Sequence, residues 1–173
     1  HSIIGLEHVS CSVERIGYRA FFHCQTLTKL DLSCLTRLQF LGDSALSYCK
    51  SLTVVDLSNS LLLEAIAQYA FWDCSALRIV HLPPKLKRIH EQAFGMCNSM
   101  GSIVIPATVE FMGRRDFQNC SSLTRVTFLS TRHLGTLMYN HQFSGCTSLH
   151  TIDLQGPPIP RVLWPLLLEQ FLQ

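Results

Sequence analysis

No stretch of this 173-residue chain approaches the roughly 20 apolar residues that a membrane-spanning helix needs. The nearest, Val162 to Leu172, is short and is interrupted by Pro165 and Glu169. Charge is sparse: 15% of residues are Asp, Glu, Lys or Arg against 47% hydrophobic, which excludes a chain that stays fully solvated. The net charge of +2 is too mild to imply nucleic acid by itself. The eight cysteines include no C-x-x-C pair, so the usual zinc spacing is missing. Also absent are the G-x-S-x-G elbow, the Walker glycine loop, H-E-x-x-H and G-x-G-x-x-G. The eight histidines are scattered, with no carboxylate or nucleophile that spacing alone would bring beside them. No catalytic residue, metal or cofactor is expected. The chain begins with His1 rather than Met, so it is expected to be a processed product or part of a longer protein.

What is present is a repeat. A small or polar residue, an apolar residue, two variable residues and a cysteine recur six times, first as Ala20-Phe21-Phe22-His23-Cys24 and last as Gln142-Phe143-Ser144-Gly145-Cys146. The cysteines Cys24, Cys49, Cys74, Cys97, Cys120 and Cys146 lie 25, 25, 23, 23 and 26 residues apart. After each comes a segment of form L-x-x-V-x-L, such as Leu52/Val55/Leu57 and Leu77/Val80/Leu82, and a similar triplet, Leu6/Val9/Cys11, precedes the first cysteine. In each segment the last two apolar residues are two apart, which puts both on one face of a strand. Before the next Ala-Phe stands another apolar residue, often followed by a small one, as in Ile16-Gly17, Leu41-Gly42, Ile66-Ala67 and Met112-Gly113. A single period of this size cannot bury its apolar face alone, so the periods must stack.

The composite L-x-x-V-x-L, variable turn, I-G-x-x-A-F-x-x-C resembles the BspA-type leucine-rich repeat over residues 6 to 156. Strand-following prolines survive only as Pro83 and Pro106. The resemblance implies an α/β solenoid, a leucine-rich repeat array with one parallel strand per repeat and short helical turns on the opposite side. It also implies a protein-binding module at the cell surface. Residues 1–156 form the array, a partial first repeat and six copies. Residues 157–173 form a C-terminal segment in which the prolines of Gly156-Pro157-Pro158-Ile159-Pro160 end the last strand. Trp164, Leu167, Leu168 and Phe171 then cap the exposed core of the final coil, or else dock on another domain.

Six aligned cysteines in stacked coils point in parallel, which suits neither a disulfide nor a tetrahedral metal site. They are expected to form a buried ladder of small apolar side chains. Cys11 is placed in the same core, and Cys34, just after a strand, is the expected exposed or half-buried thiol. Free thiols lean weakly toward a reducing intracellular compartment.

Function is therefore expected on the surface. Residues alternating with the buried strand pair face outward in two columns. One contains Val54 and Ile79 and runs from Lys29 to Arg125 and Thr151; the other contains Asp56, His81 and Val104 and ends at Asp153. An apolar centre of Val54, Ile79 and Val104 around His81, inside a rim that includes Asp56 and Arg125, suits a protein partner. The first reading is a non-catalytic protein-binding module acting as scaffold or adhesin. The second is a ribonucleoprotein or other large-assembly subunit that contacts nucleic acid through Lys85, Lys87, Arg88, Arg114 and Arg115, whose turns also carry Glu91, Glu110 and Asp116.

Overall fold

A computed structural model describes residues 5–6, 10–134 and 141–156. The proposed cap at 157–173, Val9, and the Leu137-Met138 copy of the Ile-Gly element lie outside the described residues. Each coil contributes a strand from its L-x-x-V-x-L segment. These are β1 (Gly5–Leu6), β3 (Lys29–Leu30), β5 (Val54–Asp56), β7 (Ile79–His81), β9 (Ser102–Ile105), β11 (Arg125–Phe128) and β12 (Thr151–Leu154). A second, shorter ladder comes from the Ile-Gly element: β2 (Arg15–Ile16), β4 (Phe40–Leu41), β6 (Ala65–Ile66), β8 (Arg88–Ile89) and β10 (Phe111–Met112). Every paired strand is parallel to its neighbour, in the orders β1-β3, β5-β7, β9-β11-β12, β2-β4 and β6-β8-β10. The chain is thus a parallel β-solenoid.

The alternation read from the sequence is the burial pattern. Val55 and Val80 are buried while Val54, Ile79 and His81 are exposed. Inside, equivalent residues stack in columns, such as Leu27, Leu52, Leu77, Met100 and Leu123. A further column, Leu38, Leu63, Leu86, Val109 and Leu134, is also fully buried and belongs to the connection between the two ladders. Phe71, Phe94, Phe117 and Phe143 form a stack with centroids 5.1, 5.4 and 5.5 Å apart and planes within 14°. Offset-stacked aromatic pairs are each worth about 0.5–1.5 kcal/mol beyond the area they bury.

Three expectations need correction. The Ala-Phe-x-x-Cys segments are not helical turns: the residue before the Ala position and the residue before the Cys have left-handed φ in all six copies, for example Arg19 at 51° and His23 at 63°, or Gln92 at 53° and Met96 at 60°. A right-handed helix cannot run through such residues. Their amides divide in alternation instead. Arg19, Phe21 and His23 donate to the carbonyls of Asp43, Ala45 and Ser47 on the next coil, at 3.1, 2.7 and 2.8 Å, while Ala20, Phe22 and Cys24 close tight turns onto Gly17, Arg19 and Phe21. The same alternation recurs at 44–49, 69–74 and 92–97, so the turns form a third hydrogen-bonded ladder. The first triplet was also misaligned: Leu6 pairs with Leu30, not with Leu27. In consequence Cys11 falls in a turn and is exposed, outside the core.

Cys49, Cys74, Cys97, Cys120 and Cys146 are buried, and Cys24, on the first complete coil, is half-buried against the core. Each buried thiol donates to a carbonyl of the preceding coil: Cys49 to Phe21, Cys74 to Leu46, Cys97 to Phe71, Cys120 to Phe94 and Cys146 to Phe117, at 3.0–3.3 Å. Burial pushes the Cys49 thiol up to about 12 and raises Cys74 and Cys97 as well. Thiols held protonated are poor nucleophiles. All eight cysteines are free.

At the Ala position the fifth and sixth copies carry Asp116 and Gln142, both fully buried. The two Asp116 oxygens and both polar atoms of the Gln142 amide lack hydrogen-bond partners. Burial raises the Asp116 carboxyl well above its usual value of 3.8, with some opposition from the nearby amides of Gly113, Ala93 and Gln92. Those amides are committed to the carbonyls of Ile89, His90 and Arg114, so they cannot satisfy it.

Native thiol labelling with a maleimide should reach Cys11 first, Cys34 and Cys24 more slowly, and the other five only in denaturant; labelling of native Cys97 would contradict the ladder. Asp116→Ala should stabilise the protein by about 1–3 kcal/mol at neutral pH, the cost of an unsatisfied buried polar group. Because the folded carboxyl holds its proton above the value of the unfolded chain, the pH-linked part of its penalty is absent below that value and grows as pH rises toward the folded one, on top of the cost of the unpartnered protonated group. The gain from Asp116→Ala should therefore be larger at pH 7 than at pH 4 in urea unfolding, and equal gains would place the carboxyl in solvent.

Candidate functional site on the strand face

Parallel pairing turns outward strand residues into straight columns, and the register puts Val54 beside Ile79 and Asp56 beside His81. On the later coils Ser102 lies beside Arg125 and Thr151, and Val104 beside Thr127 and Asp153. Val54, Ile79 and Val104 are 38, 48 and 47% exposed, which is high for large apolar side chains. The sequence reading missed Leu129, at 41%, one outward position beyond Thr127. Its signal was the same alternation carried one step past the strand end. With Leu129 added, Val54, Ile79, Val104 and Leu129 form a diagonal apolar stripe across four coils. Its far end opens into a groove of about 420 Å³ lined in part by His81, Val104, Leu129, Pro84, Pro106 and Thr108.

The charged residues of the face are largely committed to one another. Asp56 accepts the Ser58 amide at 2.9 Å, and its carboxyl is held below the usual range chiefly by Ser58, with a smaller share from His81. His81 Nδ1 lies 3.5 Å from Asp56 Oδ2. Ser58 meets the carboxylate rather than the imidazole, so the trio lacks the nucleophile-to-base contact that hydrolytic chemistry requires. Arg125 Nη1 reaches Asp153 Oδ2 at 2.8 Å. Asp31 accepts the Ser33 amide and hydroxyl at 2.9 and 2.6 Å, repeating at the end of β3 the Asp-Ser turn seen after β5.

The basic turns of the second reading are electrically mixed. Lys87 pairs with Glu64 at 2.8 Å, an interaction that holds the Glu64 carboxyl below its usual range. Arg88, Arg114 and Arg115 are exposed, while Asp116 is turned into the core. Among the described residues, no group of three or more His, Cys, Asp or Glu side chains is placed to hold a metal ion. Among the same residues no helix is long and apolar enough to cross a membrane.

A short parallel strand per coil, a stacked apolar core and an outward face of aligned side chains define a leucine-rich repeat solenoid. The family model for the BspA type leucine rich repeat region matches residues 5–124 and 64–158 in six copies, and the chain belongs to that family. Among solved structures, the leucine-rich repeat protein of T. pallidum is similar at a TM-score of 0.72 and 22% identity, covering 91% of this chain and 77% of that one, which shows a shared fold. A leucine rich cell surface protein from Faecalibacterium prausnitzii aligns at a TM-score of 0.47 and 17% identity, covering 90% of this chain and 54% of that one. A leucine-rich repeat protein from Bacteroides ovatus aligns at 0.37 and 20%, covering 84% of this chain and 53% of that one. No curated protein matches the sequence.

Proposed function

We propose that this chain is a non-catalytic protein-binding module, a scaffold or adhesin, whose partner docks on the strand face. The observation that carries the reading is the diagonal of Val54, Ile79, Val104 and Leu129, exposed in the middle of a face whose surrounding charges pair among themselves. Apolar side chains left in water beside a groove gain free energy when a partner covers them. A rim of Asp56, Arg125 and Asp153 excludes water and selects the partner by charge. His81 sits where both contributions meet, its ring between Val104 on one coil and Asp56 on another. Rigid parallel strands hold these groups in place without a partner, so little ordering entropy is lost on docking.

The test compares wild-type protein with Ile79→Asp and Thr127→Asp as bait, with circular dichroism to confirm folding. An outward strand residue can take a charge in water but not in a desolvated interface. Ile79→Asp should weaken partner recovery by about thirtyfold or more, the scale of losing one interface anchor. Thr127→Asp, nearer the rim, should weaken it much less. Equal recovery by wild type and Ile79→Asp would move the site off the strand face, and a partner released by nuclease would replace this reading with the nucleic-acid one.

A further inference from the structure

The corner between the short ladder and the turn ladder holds a second groove, separate from the strand face. It consists of two adjoining depressions of about 280 and 330 Å³ that meet at Gln68 and His90. One wall is the outward column of the short ladder, in which Phe40, Ala65, Arg88 and Phe111 follow one another coil by coil. Phe40 and Phe111 are 38 and 46% exposed. At the strand spacing of a sheet they stand about 14 Å apart, three coils along the solenoid. The opposite wall, three residues further along each coil, is Asp43, Gln68, Glu91 and Arg114. The floor between them is Gly42, Ala67, His90 and Gly113. A Cβ on Gly42 would come within 2.6 Å of the Gly17 backbone, and one on Gly113 within 2.4 Å of the Glu91 amide nitrogen, so those two positions stay bare, while His90 carries its ring where the two depressions meet.

The geometry points to a binding site for a neutral linear oligosaccharide laid along the solenoid axis in this groove. Three observations select that class. First, two exposed rings several coils apart offer stacking faces to the apolar C–H faces of separate sugar rings. His90 flanks the Phe111 ring at 5.9 Å, and Arg15 lies 4.2 Å over one face of the Phe40 ring, so a sugar would stack on the other face. Second, the facing wall carries carboxylate, amide and guanidinium groups in turn, the mixture of acceptors and forked donors that vicinal hydroxyls can bridge. Gln68 already donates to Glu91 at a long 3.5 Å, so the two side chains lean toward a common point. Third, the charges nearly cancel: Asp43 and Glu91 stand against Arg15, Arg88 and Arg114, and the single positive charge left over is too small to select a polyanion such as nucleic acid and disfavours a polycation. A peptide is disfavoured because the groove runs across the strands and presents no open strand edge to pair with it.

The experiment screens the full chain against immobilised short linear oligosaccharides of glucose, N-acetylglucosamine and mannose, with a heparin fragment and a single-stranded oligothymidylate as charged probes. The tightest neutral probe is then titrated calorimetrically. The expected result is retention of at least one neutral probe, with affinity reduced about tenfold or more by each of Phe40→Ala and Phe111→Ala. Ile79→Asp on the strand face should leave it unchanged, so failure of this site and failure of the protein-binding face are read separately. Both phenylalanines are exposed, and circular dichroism checks that each variant keeps its fold. No neutral probe retained, retention of the charged probes alone, or undiminished binding by Phe111→Ala would overturn the assignment.

Discussion

Every buried cysteine in this solenoid hands its S–H to a carbonyl one coil back, and the architecture depends on that contact. The thiol is small enough to fit under a turn, apolar enough to bury and able to donate weakly, a combination that alanine lacks. Its acceptor is the carbonyl at the Phe position of the previous coil, which already accepts the amide of the cysteine on its own coil. Carbonyls carry two lone pairs, so one oxygen closes the turn within its coil and also holds the next coil. Around this point the backbone takes two left-handed residues per copy, each costing about 1–2 kcal/mol for a side chain other than glycine. The alternating amide bonds to the next coil and the stacked phenylalanines offset that cost, and no coil could meet it alone.

Seen this way, the strands are the more permissive part of the coil. They are two to four residues long and their ladders break into short sheets, whereas the turn bonds repeat with little change in length from coil to coil. Copies that depart from the motif mark where the scheme is under load. Leu46 replaces a phenylalanine and interrupts the aromatic stack, and Asp116 and Gln142 put polar groups where alanine would be satisfied by contact alone. The end of the chain toward Cys146 is also where burial loosens, with Leu149, Ile152 and Leu154 only half-buried.

Much of this was legible in the residues. The strand register follows from a period-two pattern repeated often enough to leave one alignment, and the outward columns follow from it directly. The turns were misread because Ala-Phe-x-x-Cys has helical spacing between its apolar residues, while the feature that decides the conformation, a left-handed φ at Arg19, His23, Tyr48 or Asp73, falls on side chains that do not announce it. Only the last two copies, with Asn119 and Gly145, carry the usual signature before the cysteine. The first triplet was misplaced because Leu6/Val9/Cys11 fits the apolar spacing as well as the true register does, and the partner strand is needed to decide between them. Leu129 escaped because it lies past the repeated motif, and the corner groove escaped because its walls belong to two different ladders.

The most direct measurement is residue-resolved amide hydrogen exchange on the native protein. If the turns are a hydrogen-bonded ladder equal to the strands, the amides of Leu46, Phe71 and Phe94 will exchange as slowly as those of Val55, Val80 and Ile103, opening only with the cooperative unit that contains them. Amides at Leu46, Phe71 and Phe94 that exchange like surface loops while the strand amides stay protected would contradict it, leaving the strands alone to hold the coils together.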